Sequence, residues 1–348
     1  MTQPTTRLTA AGRSGVRIAL APLEVRANSF VRAFTECLRS GGFDTIAYGY
    51  EPELPSGCRV VILHWPNRFF APASAAAAEA AEQLLAAWRS ARAAGTRFLW
   101  VAHNVHPHDT APRHHALARG FIDCLDGIIH LSRASAAAIR AAHRPAVARE
   151  LITRHGHYRE LCATPLRPFP ALDDGIRLGY VGRIRPYKNL ESLLASSAEA
   201  AVPGLEVSLA GFRHDDSYAA RIEALAASRA DVRLDLRSGF LSEAELEAAI
   251  DHCHAIVLPY RCILNSGTVL LALSRDRPVL APRLGGLEEL RDHVGDRWLR
   301  LYDGDLTAST VRSFIDLLRT HDGGRCDLSS HDWGPIAADL CSFIDEVV

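Results

Sequence analysis

Gly182-Arg183-Ile184-Arg185-Pro186-Tyr187-Lys188-Asn189 joins an apolar run, IRLGYVG (176–182), to an amphipathic one, NLESLLASSAEAA (189–201). The first reads as a buried strand and the second as a helix, so the octapeptide is a strand-to-helix turn. An Arg and a Lys on a loop aimed at a helix start can clamp a diphosphate. Of the 39 basic residues in the chain, Lys188 is the sole lysine. A sequence that otherwise uses Arg keeps Lys where a compact ammonium is needed in place of a planar fork.

The same strand–helix alternation runs outward in both directions. Downstream it continues through LEVSLAG (205–211), SYAARIEALAAS (217–228), VRLDLRSG (232–239), SEAELEAAIDHC (242–253), AIVLPY (255–260), SGTVLLALSR (266–275), PVLAPR (278–283) and GLEELRDHVG (286–295). Ser242 with Glu245 three residues on forms a capping box. Upstream, VRIALAP (16–22), RVVILHW (59–65), RFLWVAHN (97–104), GIIHLS (127–132) and AVARELIT (146–153) read as strands. NSFVRAFTECLRSGG (28–42), the Ala-rich stretch 73–95 and SRASAAAIRAA (132–142) read as helices between them. Such alternation predicts parallel sheets covered on both faces. A Pro-rich link, TPLRPFPALDDG (164–175), divides the series. The expectation is α/β: two doubly wound Rossmann-like domains, 1–172 and 173–331, with a terminal helix over 332–348 crossing back to the first. Ligands are expected beyond the carboxyl ends of the strands, in a cleft between the domains.

At 348 residues, 48% hydrophobic and 23% charged, the composition is that of an ordinary globular protein of about two domains. No stretch reaches the roughly 18 uncharged apolar residues of a spanning helix. The start, MTQPTTRLTAAGRSG, lacks an apolar signal core, so a cytoplasmic location is expected. The eight cysteines show no C-x-x-C spacing, which leaves zinc ribbons and redox motifs unsupported. A net charge of -1 excludes a nucleic-acid binder that works through bulk positive charge. The charge is nonetheless divided. Residues 1–172 carry 20 Arg against 12 acidic residues, a net +8, and residues 173–348 carry a net -9. A basic first half fits an anionic acceptor or the headgroups of a membrane surface, reached peripherally from the inner face of the plasma membrane.

Four further motifs carry chemistry. Asn265-Ser266-Gly267-Thr268 opens a helix, where free amides and the positive dipole end can take a phosphate, although Asn or Ser caps any helix. Pro282-Arg283-Leu284-Gly285-Gly286-Leu287-Glu288-Glu289 combines a glycine pair with helix-start acids that can hold ribose or sugar hydroxyls; a structural glycine loop reads equally well. His103-Asn104-Val105-His106-Pro107-His108-Asp109 follows a buried strand. Pro107 prevents the regular helix that a three-histidine metal site would use, so acid–base chemistry or sugar contact is favoured over metal or a plain surface loop. Arg154-His155-Gly156-His157-Tyr158 ends the last strand before the link, as a structural element or a ligand contact.

In this order the motifs resemble a glycosyltransferase of the GT-B architecture. GRIRPYKN is similar to the G-R-x-x-x-x-K-[GN] loop that binds the donor diphosphate in family-4-type enzymes. NSGTVLLALSRDRPVLAPRLGGLEEL is similar to their G-x-x-x-x-E-A-x-A-x-G-x-P-V-[IL]-A…G-G-x-x-E segment. Retaining members carry a Glu-x₇-Glu pair, and the matching positions here read Leu264 and Ala272. Without those carboxylates the chain resembles bacterial exopolysaccharide β-mannosyltransferases of the xanthan type, through Asn28-Ser29-Phe30, the HNVHPHD loop and the NSG helix start.

That resemblance implies inverting transfer of a hexose, mannose from GDP-mannose, to a hydroxyl of a lipid-diphosphate-linked or otherwise amphipathic glycan. Arg183 and Lys188 would neutralise the leaving diphosphate with the Ser266–Thr268 amides, so no metal or other cofactor is expected. Gly211, Phe212, Gly239 and Phe240 would surround the base, and Asn265, Glu288 and Glu289 would complete the donor site. Asp109 is the first choice of general base and His103 the second. Asn28, Ser29, Arg32 and His106 would meet the acceptor. A retaining transferase using a UDP- or GDP-sugar, and a non-catalytic sugar-nucleotide-binding paralogue, are the alternatives.

Overall fold

A computed structural model describes residues 13, 15–23, 28–106, 114–147, 149–172 and 175–348. The chain divides into two compact units, residues 1–156 with 331–348, and residues 157–330.

The first unit is a six-stranded parallel sheet in the order β2-β1-β3-β4-β5-β6. Its strands are β1 (Arg17–Ala21), β2 (Asp44–Ala47), β3 (Cys58–Leu63), β4 (Arg97–Ala102), β5 (Gly127–His130) and β6 (Arg149–Ile152). The helices are α1 (Ser29–Ser40), the short α2 (Asn67–Phe70), α3 (Ala75–Ala93), α4 (His115–Asp123) and α5 (Arg133–His143). Central strands read as continuous apolar runs because both faces are covered; the last four residues of β3 and the last five of β4 are buried. On one face, Trp88 of α3 and Phe121 of α4 meet Phe69, Phe98 and Trp100. The sequence reading had no α2 or α4: one is a single turn, and the other lies in a stretch crowded with His and Arg.

The second unit repeats the plan in the order β12-β11-β10-β7-β8-β9. It contains β7 (Ile176–Ile184), α6 (Leu190–Ala200), β8 (Leu205–Arg213), α7 (Asp216–Ala226), β9 (Val232–Arg237) and α8 (Glu243–His252). It continues with β10 (Ala255–Val257), α9 (Gly267–Ser274), β11 (Val279–Pro282), α10 (Leu287–Val294), β12 (Leu299–Tyr302) and α11 (Ala308–Arg319). Ser242 and Glu245 form the expected reciprocal capping box at α8. The chain then returns to the first unit, where α12 (Trp333–Val347) packs on α1 and β6.

The division falls at Gly156, not at Leu172. The Pro-rich link is tied into the second unit by buried polar groups. Glu247 accepts from the amides of Ala163 and Thr164 at 2.7 and 2.8 Å. Arg275, paired with Asp251, donates to the carbonyls of Thr164 and Pro165, both at 2.8 Å. Arg277 reaches the Pro168 carbonyl at 2.9 Å. Proline lacks a backbone N–H, so a proline-rich link has fewer amides to pair its own carbonyls, and arginine side chains bond them instead. The new division also redistributes charge. The first unit carries 18 Arg against 15 acidic residues, a net +3 in place of +8, because residues 331–348 bring four acids while Arg159, Arg167 and Glu160 leave.

Candidate functional site

In the second sheet the strand order reverses between β7 and β10. A parallel sheet opens a crevice beyond its carboxyl ends at such a reversal. Gly182 lies near the end of β7 with φ +135°, and a Cβ built on it would stand 3.3 Å from Tyr180 Oη and 4.0 Å from Thr268 Oγ1. On the neighbouring strand, a Cβ on Gly211 would meet the Gly182 carbonyl oxygen at 1.7 Å. Only glycine fits there, and the pair keeps this corner of the crevice free of side chains.

Lys188 ends a short 3-10 turn, Pro186–Lys188, that leads into α6. Its Nζ stands 3.6 Å from the centre of the Tyr260 ring and 4.7 Å from that of Tyr187. The Arg261 amide donates to the Tyr187 carbonyl at 2.9 Å, and the Arg261 guanidinium to Asn189 Oδ1 at 3.0 Å. The lysine loop is thereby pinned to the segment that follows β10. Tyr260 is buried, and burial pushes its pKa up, so its hydroxyl keeps its proton beside Ser266 and Thr268. Ser266 caps α9, its Oγ accepting from the Val269 amide at 3.3 Å. The first turn of α9 therefore presents the positive end of its dipole next to the Lys188 ammonium.

Arg183 lies to one side with its guanidinium 5.4 Å from the Phe240 ring centre, and Phe240 packs on Phe212 at 4.4 Å. Phe240 nonetheless remains 58% exposed, leaving an aromatic surface open to solvent. Gly239 has open space around it, so nothing local demands glycine there. The Gly285–Gly286 pair has a packing role: Gly285 sits at φ +55°, a Cβ on it would meet the Leu264 carbonyl at 2.4 Å, and Gly286 N donates to that carbonyl at 2.9 Å. This holds the loop that carries Leu264, Asn265 and Ser266. Of the two acids that follow, Glu288 is exposed and engaged with Arg283 at 2.7 Å and Arg291 at 3.6 Å. Glu289 is half-buried in the first turn of α10.

The two positions that lack carboxylates differ in surroundings. Leu264 is 7% exposed and Ala272 is fully buried, while Leu271 beside it is half-buried. A side chain at 272 faces core, so Leu271 is the position on this turn with access to solvent, and it too is apolar.

The first sheet reverses between β1 and β3. Beyond these strand ends lies a cluster of imidazoles and aromatic rings. His64 Nδ1 and His103 Nε2 are 3.0 Å apart. Trp65 stacks on His103 at 4.6 Å and 22°. Phe30, from the first turn of α1, packs against His103, His155 and Trp333 at 5.1, 4.4 and 5.5 Å. Burial pushes the pKa of His64 down to about 3 and of His155 to about 4. It also pushes His103 well below the ordinary imidazole value, with His64 and His155 adding to the effect. These rings are neutral at pH 7. His103 offers a lone pair of low proton affinity, already in contact with His64, and is a weak base there. Gly156 is required by packing, since a Cβ on it would enter the Trp333 indole at 2.2 Å.

Asp109 lies outside the described residues. His106 is half-buried, with Nδ1 buried and without a partner. Asn28 is the N-cap of α1, its side chain accepting from the Val31 amide at 3.5 Å, and the Arg32 guanidinium donates to Ser29 Oγ at 3.4 Å. The structure thus brings Lys188, Ser266, Gly267 and Thr268 together around Tyr260. It gathers Arg183, Phe212 and Phe240 beside Gly182 and Gly211, and pairs Glu288 with Arg283 and Arg291. Sequence reasoning missed Tyr260, His64, Trp65 and Trp100. The signal for Tyr260 and His64 was there, as polar or aromatic residues just past the ends of apolar strands, LPY and ILHW. Among the described residues no cluster of His, Cys, Asp and Glu is arranged to hold a metal ion, and no helix is long and apolar enough to cross a membrane.

No protein-family model matches the chain. It is 30% identical over 335 residues to a GDP-mannose:glycolipid 4-β-D-mannosyltransferase of Xanthomonas campestris pv. campestris, a match spanning 95% of this chain and 91% of that one. The protein of the same description from another strain is 29% identical over 339 residues. Among solved structures, sucrose-phosphate synthase from Thermosynechococcus elongatus superposes with a TM-score of 0.66 at 16% identity, over 95% of this chain and 99% of that one. HepE from Anabaena, in complex with UDP-glucose, gives 0.60 at 14% identity, over 95% and 97% of the two chains. These structures share the fold, two Rossmann-like domains of the GT-B type.

Proposed function

The chain belongs to the family of the GDP-mannose:glycolipid 4-β-D-mannosyltransferases, and from that premise we propose that it transfers mannose from GDP-mannose to a glycolipid hydroxyl, with inversion and without a metal. It is a glycosyltransferase of the GT-B fold. The observation that carries the donor reading is the placement of Lys188 Nζ over Tyr260, beside the N-terminus of α9.

Departure of GDP develops negative charge on the β-phosphate, and fixed charges and dipoles already aimed at that point lower the barrier. Lys188, the Gly267 and Thr268 amides and, to one side, Arg183 supply them. A neutral Tyr260 hydroxyl adds a donor that can meet a phosphate oxygen. This set performs the charge neutralisation that a divalent ion performs elsewhere, which supports metal independence. The Phe212–Phe240 surface next to Arg183 suits a nucleobase face. Transfer with inversion needs one base to take the acceptor proton. Asp109 is assigned that role, because His103 is held neutral and weakly basic. The apolar residues at 264, 271 and 272 provide no carboxylate for the donor's other face, which favours inversion over retention. A glycolipid acceptor places the enzyme at a membrane surface, approached peripherally.

Incubation of the protein with GDP-[¹⁴C]mannose and bacterial glycolipid extract, with and without EDTA, tests the reading. We expect EDTA-insensitive label in the lipid fraction and a β-anomeric signal in the released product. An α-linked product, or transfer abolished by EDTA, would overturn it.

A further inference from the structure

The loop that carries Lys188 leaves β7 where the sheet supports that strand on one side only. β8 accompanies β7 as far as Ile184, whereas β10 pairs with it only at Leu178 and Gly179. Two buried tyrosine hydroxyls tie the loop where strand ladders do not. Tyr180 is fully buried, and its Oη donates to the Arg183 carbonyl at 2.7 Å. Tyr180 and Gly182 are two apart on the strand and share a face. The hydroxyl reaches Arg183 across the space that glycine leaves, 3.3 Å from where a Cβ on Gly182 would stand. At the other end Tyr218, from the first turn of α7, is 2% exposed, and its Oη accepts from the Leu190 amide at 2.8 Å.

The second tie takes the place of a helix cap. The first amides of a helix lack partners within it, and the N-cap side chain ordinarily serves one of them. Asn189 stands at the N-cap of α6 in a left-handed conformation, φ 54° and ψ 43°, and its side chain makes no capping bond. Its Oδ1 is taken by Arg261 instead. Tyr218 supplies an acceptor from another helix. Its own place is fixed, since Asp215 caps α7 by accepting from the Tyr218 amide at 2.9 Å. Its hydroxyl proton goes to Glu191, which Arg221 holds at 2.7 Å. The left-handed region is disfavoured for a residue with a Cβ, and Asn189 follows Lys188 directly. A loop with free ends would relax from that kink, and the direction of the Lys188 side chain would change with it.

We propose that Tyr180 and Tyr218 are positioning residues: their hydroxyls clamp residues 183–190 at both ends and hold the Lys188 ammonium at the Tyr260 ring before any donor binds. The inference rests on the diphosphate reading of Lys188 above and deepens it. Ordering a loop during binding subtracts from affinity, and a clamped loop is already ordered. Each tyrosine acts through the backbone on one side of the lysine, not on the donor itself.

Lys188 is the sole lysine, so the full chain labelled with [ε-¹³C]lysine gives one side-chain signal. The centres of the Tyr187 and Tyr260 rings, 4.7 and 3.6 Å from Nζ, displace it from its position in the urea-unfolded chain. Tyr180→Phe and Tyr218→Phe keep each ring and remove only the hydroxyl. Thermal melts report whether each is folded, and either variant alone suffices for the test. We expect the lysine signal to move toward its unfolded position. The affinity for GDP should fall about fivefold, the size of one neutral hydrogen bond. Ser196→Ala removes another buried hydroxyl bond of α6, made to the Leu306 carbonyl at 2.8 Å, and should change neither. A lysine signal that stays in place in the folded tyrosine variants overturns the proposal, as does one that moves equally far in Ser196→Ala. Lys188→Ala is titrated with GDP in parallel. If it loses affinity while the tyrosine variants keep theirs, the clamp alone is refuted. If it binds GDP like the wild type, the diphosphate reading falls, and the lysine signal still decides the clamp.

Discussion

The ammonium of Lys188 stands 3.6 Å from the centre of the Tyr260 ring, the two being brought together from opposite sides of the reversal between β7 and β10. The ring's negative face attracts the cation. The ammonium lies beside the loop whose Ser266 caps α9, a helix N-terminus that prefers an anion.

Lys188→Arg is therefore not conservative. A guanidinium is planar and longer, and cannot occupy the same point charge position over Tyr260. We expect turnover to fall by about 10²-fold or more, within the range seen when one transition-state donor is removed. Steady-state rates with saturating GDP-mannose check this; an unchanged kcat contradicts it.

Gly211→Ala places a methyl group where the Gly182 carbonyl already is, at 1.7 Å. The backbones of β7 and β8 must separate at the site. We expect a loss of stability of about 1–3 kcal/mol, as for an overpacked core, with weakened GDP binding. Gly239→Ala has open space and should leave both unchanged. Paired urea melts and GDP titrations compare the two.

Arg275 is 1% exposed and paired with Asp251, and it also bonds the carbonyls of Thr164 and Pro165. Arg275→Met leaves a buried Asp251 without this partner. Breaking a buried pair from one side costs about 3–5 kcal/mol. Chemical denaturation measures the loss, and proteolysis should show cleavage first in residues 163–168, where the link loses its anchor.

Acid should weaken the first unit through its histidines. The folded pKa values of His64 and His155 are about 3 and about 4, below the unfolded value of about 6.5. The unfolded chain therefore binds more protons between those limits, and stability present above pH 6.5 is lost as the pH falls. At pH 5 the loss is up to about 2 kcal/mol per ring, at about 1.4 kcal/mol per unit. Denaturant midpoints between pH 7.5 and 5 report it, and His64→Phe should flatten the slope.

Most of the fold was legible because parallel strands buried on both faces are continuous apolar runs, and helices such as α3 and α8 carry clear caps at Ser74 and Ser242. The domain division was misread because prolines at 165, 168 and 170 look like a linker from composition alone. What fixes them is the reach of Arg275 and Arg277 from more than a hundred residues away. Lys188 was legible by its rarity. Tyr260 was not, because a tyrosine at a strand end has no spacing signature, and its role appears only when two loops meet. Glu288 shows another limit: its position in the chain resembled a ligand contact, and only the structure reveals its ion pairs with Arg283 and Arg291. His103 was chosen for its residue type, and only packing reveals that His64, Trp65 and Phe30 keep it neutral.

The most direct test is the affinity for GDP, measured by calorimetry on the wild type and on Lys188→Ala, with UDP, ADP and dTDP alongside. The account predicts that GDP binds most tightly of the four. It also predicts that Lys188→Ala loses at least about tenfold in affinity, the 1.4 kcal/mol expected of one charge-assisted contact. GDP binding that is equally tight in Lys188→Ala, or a wild type that prefers another nucleotide, contradicts it.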